Sequence, residues 1–157
     1  MLKNAIHTVM ISGFLAAATG AAANDNVILS VQLGTEQRSF TLEELQTMPV
    51  TSVETTTIWT EGLQNFEGVQ LKDLLENLGV QPEQIEAIAV NDYAVEIPAS
   101  DAIDGGPIVA YFQNGNTMPL RTKGPLWIVY PYDAHKKYRT ESIYSRSIWQ
   151  LDRLIIQ

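Results

Sequence analysis

The chain has 157 residues, a formal net charge of −8 and no cysteine, which removes thiolate metal sites, iron–sulfur clusters, disulfides and cysteine nucleophiles from the chemistry available to it. A surplus of acid also argues against nucleic acid as a partner, because holding phosphates needs a net basic face. The 45% hydrophobic content is ordinary for a globular protein that relies on its core.

Residues 1–23 read as a cleavable export signal, with Lys3 in a short head, an apolar stretch from Thr8 to Ala18, and Ala21-Ala22-Ala23 ahead of Asn24. The apolar stretch falls short of the ~20 residues that a membrane span needs. Cleavage leaves residues 24–157 as a single domain, expected in the periplasm and without a membrane span. His7 leaves with the signal, so His135 is the one histidine of the mature chain, too few for a His-rich zinc site.

Alternation in VILSVQL (Val27 to Leu33), the Gly34-Thr35 turn and the SFTL that follows predict an opening hairpin. Thr41 and Glu44 form a capping box for a short helix that Pro49 ends. The β-branched run VTSVETTTIW predicts a strand of up to ten residues, and TEGLQNFEG an irregular loop. Leu71, Leu74, Leu75 and Leu78 recur at helical spacing, with Gly79 as C-cap. Strands are expected at Ile85 to Val90 and Tyr93 to Ile97 around an Asn91-Asp92 turn, with a brief helix from Pro98 that Gly105-Gly106 terminates. IVAYF and TMPL flank a Gly-containing hairpin turn, LWIVY is a fully apolar strand, and SIWQLDRLII reads as one turn and then a strand. The sum is an α+β fold, a mixed or antiparallel sheet with a few short helices.

Charge is divided unevenly along the chain. Residues 24–117 hold fifteen acidic and two basic side chains, and residues 118–157 hold three acidic and seven basic ones. Such a cationic quarter suits a small anionic ligand, although any one of these bases is accounted for as readily by a surface ion pair. Arg121 and Lys123, with Gly124 beside them, can grip a phosphate or carboxylate, or can form a plain turn with solvated charges. Asn91, Asp92 and Tyr93 occupy the kind of loop where binding groups collect, and Asn and Asp are also common turn formers. Trp59 can wall a pocket or pack half-buried. Asp92, Asp101 and Asp104 match no calcium-loop spacing, and the chain contains neither a P-loop nor a G-x-G-x-x-G fingerprint.

FEGVQLKDLLENLGV, AIAVNDYAVEIPASDA, RTKGPLWIVYPYD and SRSIWQLDRL, in this order, resemble the oxidoreductase molybdopterin-binding domain of sulfite oxidase and of the periplasmic methionine sulfoxide reductase catalytic subunit. The family's Trp-x-Gly-x-x-Leu-x-x-Leu-Leu segment appears as Phe66-Glu-Gly68-Val-Gln-Leu71-Lys-Asp-Leu74-Leu75, its Asp-Gly-Tyr loop as Asn91-Asp92-Tyr93, and its His-Gly-x-Pro turn as Lys123-Gly124-Pro125. The resemblance implies a sulfite-oxidase-like fold and a pterin cleft lined by Trp59, Asn91, Asp92, Tyr93, Arg121, Lys123 and Gly124. It also implies a cysteine ligand to molybdenum, whose position falls near Thr56. Threonine is a poor substitute for a thiolate, and the leader has one lysine and no arginine, unlike the twin-arginine signal of a preloaded enzyme. The expectation is a cofactor-free, non-redox module that binds a small anionic ligand or a partner's peptide. Two alternatives are a periplasmic oxidoreductase holding a molybdenum pterin through non-thiolate contacts, with Thr56 or Trp59 beside the metal, and a structural or sensory partner of a membrane protein in the envelope. Trp127, Tyr130, Tyr132 and Trp149 are large enough to fill the cleft.

Overall fold

A computed structural model describes residues 26–157; the expected signal at residues 1–23 lies outside them. The chain opens with a hairpin, β1 (Val27–Leu33) and β2 (Glu36–Thr41). Thr41 then caps α1 (Leu42–Gln46). Its hydroxyl accepts from the Glu44 N–H, while the Glu44 carboxylate accepts from the Thr41 N–H at 2.8 Å. The capping box read from the sequence is therefore present, and it satisfies two N–H groups that the first helical turn leaves without partners.

β3 (Val50–Thr55) is six residues long, within the predicted limit of ten but ending before Thr56. Beyond it the threonines bond elsewhere instead of letting the backbone extend, Thr57 locally and Thr56 to a distant carboxylate. The Thr57 hydroxyl accepts from the Trp59 N–H at 3.1 Å and shares a 2.7 Å bond with Thr60, while Thr56 is taken by Asp133. The irregular loop is correspondingly short, because β4 (Gln64–Gln70) already includes half of it. Gly68 lies inside β4, where a β-carbon would collide with the Val109 carbonyl of the neighbouring strand. Glycine in a strand here marks a close backbone approach at a bulge rather than a loop.

α2 (Leu71–Leu78) buries Leu71, Leu74 and Leu75, and Gly79 closes it in the left-handed region at φ 71°. β5 (Gln84–Ala89) and β6 (Ala94–Pro98) form the next hairpin, and a single 3-10 turn follows at Ala99–Asp101. β7 (Ile108–Gln113), the two-residue β8 (Asn116–Thr117) and β9 (Trp127–Val129) come next. The sequence reading contained no helix at α3 (Glu141–Arg146), where the Thr140 hydroxyl caps the first turn by accepting from the Ile143 N–H. The chain ends in β10 (Leu151–Ile156).

These strands make two sheets. The first runs β2-β1-β10-β5-β6, and the second runs β3-β4-β7-β8 with β9 also paired to β7. Every pairing is antiparallel except β1 with β10, so the fold is α+β with a mixed sheet, as expected. Side chains from both sheets join one hydrophobic core, in which Phe66, Leu29, Leu71, Ile85, Leu126, Trp127 and Tyr130 are fully buried. Each such aliphatic or aromatic side chain contributes roughly 1.5–3 kcal/mol. β10 begins where β5 ends, since Leu151 pairs with Ala89. This end of the first sheet meets the loop after β3, and the candidate cleft is built there.

Candidate functional site

A cleft of about 670 Å³ opens between the loop carrying Ile58 and Trp59, the Asn91–Tyr93 turn, and α3 with the Trp149–Gln150 segment that follows it. Trp59 holds the centre of an aromatic cluster. Its ring meets Trp127, Tyr132, Tyr144 and Trp149 edge to face at 5.5–6.2 Å. That is the geometry favoured by aromatic quadrupoles, and each pair contributes about 0.5–1.5 kcal/mol beyond burial. Trp127, Tyr130 and Tyr132 lie in the core, and Trp149 forms part of the wall, so the large aromatics surround the cleft without filling it.

Of the candidate residues, Trp59, Asn91 and Tyr93 line this cleft. The Asn91 side-chain oxygen accepts from the Tyr93 N–H at 3.2 Å, and the Val90 N–H donates to the Gln150 carbonyl, which ties this turn to the Trp149 wall. Asp92 is held at φ 64° and pairs with Arg153 instead. Arg121 is exposed, outside the lining. The Lys123 ammonium lies 3.7 Å from the centroid of Trp149 and 5.1 Å from that of Trp127, a cation–π position. Burial pushes its pKa down. Gly124 is required by packing, because a β-carbon would collide with the Met118 carbonyl.

The cationic island resolves into two groups. Arg139 pairs with Asp133, Arg146 with Asp101, and Arg153 with Asp92 and Asp152. Arg121, Lys123, Lys136 and Lys137 have no carboxylate at ion-pair distance among the described residues. Arg146 and Tyr130 converge on one Asp101 oxygen at 2.9 and 2.7 Å, fixing the end of α3. Burial raises the Tyr130 pKa, and the Asp101 charge adds to it. Tyr132 donates to the Ser147 hydroxyl at 2.7 Å, and burial pushes its pKa up to about 12.

Thr56 is exposed, and both of its donors are taken by Asp133. Its N–H and its hydroxyl donate to the two oxygens of Asp133 at 2.6 and 3.0 Å, and the Asp133 N–H donates to the Thr55 hydroxyl at 3.1 Å. The Thr56 N–H, with help from its hydroxyl and from Arg139, holds the Asp133 carboxyl below the usual carboxylate range.

The family model for the oxidoreductase molybdopterin binding domain matches residues 18–135. The chain belongs to that family. None of the curated proteins matches it. Among solved structures it is similar to the sulfane dehydrogenase SoxCD from Paracoccus pantotrophus, with a TM-score of 0.60 and 20% identity, over 82% of this chain and 37% of that one. The likeness is one of fold, and this molybdopterin-binding-family chain spans little more than a third of that neighbour's length. The family match ends at residue 135, so α3 and Trp149, half of the cleft wall, lie beyond it.

The family implies a molybdenum pterin, and the residues present do not fit its metal. The chain has no cysteine, Thr56 is bonded to Asp133, and the described residues contain no group of three or more His, Asp or Glu side chains placed to hold a metal ion. The cleft lining includes Glu141 and no lysine or arginine, which suits the charge of a pterin phosphate poorly. The missed wall residues, Ile58, Tyr144 and Ser145, share no spacing, because they come from two segments about ninety residues apart, while Trp149, expected as able to fill the cleft, lines it instead. The Thr140 cap was the one local signal of α3.

Proposed function

We propose that this domain is a non-redox binding module of the cell envelope, exported by its leader. Its cleft takes a flat, largely apolar group, carried by a small molecule or by a partner's side chain. The observation that supports this most directly is an open, aromatic-walled cleft beside a Thr56 whose polar atoms are already used. Trp59, Trp149 and Tyr144 present ring faces and edges to the ligand. Asn91, Ser145 and Gln150 provide the few polar groups that orient a ligand in an apolar site. An anionic substituent on the ligand would point out of the cleft towards Lys123 and Arg121, neither of which has a carboxylate partner at ion-pair distance among the described residues.

Elemental analysis and small-molecule mass spectrometry test the reading on protein purified from a host that makes molybdenum cofactor. The expected result is neither molybdenum nor pterin at a meaningful fraction. Stoichiometric metal with a pterin would overturn it in favour of a cysteine-free redox site. Replacing Trp149 by leucine removes one aromatic wall, and affinity for an aromatic probe should fall about three- to tenfold. An unchanged affinity would place the ligand elsewhere.

A further inference from the structure

Two walls of the cleft meet at one carboxylate that does not itself touch the cleft. Asp133 accepts from both donors of Thr56, three residues ahead of Trp59 in the first wall. The same Asp133 accepts from an Arg139 Nη at 3.1 Å, and Arg139 stands two residues ahead of α3, the second wall. Arg139 is oriented by a 2.9 Å bond from its Nε to the Tyr132 carbonyl. The Tyr132 ring lies between the walls, 6.2 Å from Trp59 and 5.7 Å from Tyr144. We infer that Asp133 is a positioning residue, a latch that sets the separation of the Trp59 loop and α3 and so the width of the cleft.

The chemistry at the latch calls for a carboxylate. The Thr56 N–H, the Thr56 hydroxyl and the Arg139 guanidinium all donate, and an ionised Asp is acceptor-only. An amide in its place would turn an NH₂ group towards one of these donors. Loss of the charge also removes the one carboxylate partner of Arg139 among the described residues, leaving it held only by backbone carbonyls.

Hydrogen exchange on the purified protein tests the latch, with Asp133→Asn, Thr56→Val and Thr56→Ser as variants. In Asp133→Asn, amides of both 56–63 and 139–147 should exchange about tenfold faster, the order expected for a lost charge-assisted bond, while β1, β5 and β10 keep wild-type protection. Thr56→Val should accelerate 56–63, and Thr56→Ser, which keeps both donors, should restore it. Acceleration in only one segment of Asp133→Asn, acceleration spread evenly over the sheets, or a serine variant that behaves like valine would overturn the inference. Should Asp133→Asn not fold, the valine and serine pair decides. A second readout is the affinity for anilinonaphthalene sulfonate, which should weaken severalfold in Asp133→Asn; equal affinity overturns the inference. That arm rests on the proposed binding role. A wild-type protein indifferent to aromatic dyes counts against that role, while the exchange arm still judges the latch.

Discussion

Gly124 shows how little room some positions leave for change. A methyl group there would enter the backbone of Met118, and neither segment has a flexible end that can yield. Gly124→Ala should cost about 3 kcal/mol or more, lowering the melting temperature on the order of 10 °C. Thermal unfolding by circular dichroism checks this, and a neutral result would mean that the turn re-forms elsewhere. Ionisable groups add opposite limits in pH. Asp133 titrates lower in the folded protein, so its stabilisation is complete above its unfolded value of about 3.9 and fades as pH falls through that range. Tyr132 titrates higher, up to about 12, so its contribution is complete below about 10 and is lost between there and its folded value. Denaturant melts across pH should show both limbs, with Asp133→Asn flattening the acid limb and Tyr132→Phe the alkaline one.

Among the elements, β10 carries the heaviest responsibility. It is the last strand made and lies in the middle of its sheet, between β1 and β5. Deleting residues 151–157 would leave both neighbours with unpaired edges and remove the buried Leu151 and Leu154. The truncated chain should lose cooperative unfolding, which a denaturant titration would show; a sharp two-state transition would contradict this. Thr41→Ala, by contrast, should cost only about 1 kcal/mol. Elements of this second kind were the readable ones. The Thr41–Glu44 capping box and the Leu71 to Leu78 spacing with Gly79 declare themselves within a few residues of chain. The end of β3 did not, because it is decided by a carboxylate 77 residues away. Gly68 misled for a related reason, since the strand it accommodates belongs to residues 108–113.

At the scale of the whole molecule, the family likeness was legible from the order of four segments, and the absent thiolate from composition alone. The shape of the cleft was not. Its walls come from the loop after β3, the Asn91–Tyr93 turn and α3, and no spacing joins them. The cationic quarter also divided only in three dimensions, into bases that tie segments together and bases left facing solvent or rings. The aromatic cluster has one more consequence. The chain has three tryptophans, and Trp59, Trp127 and Trp149 all stand within 6.4 Å of one another at this cleft. Light absorbed by indole is therefore emitted from one place, and the protein carries an unlabelled optical reporter of the cleft proposed as its binding site. Emission that shifts while the far-ultraviolet signal holds steady would signal an event at the cleft rather than unfolding of the sheets.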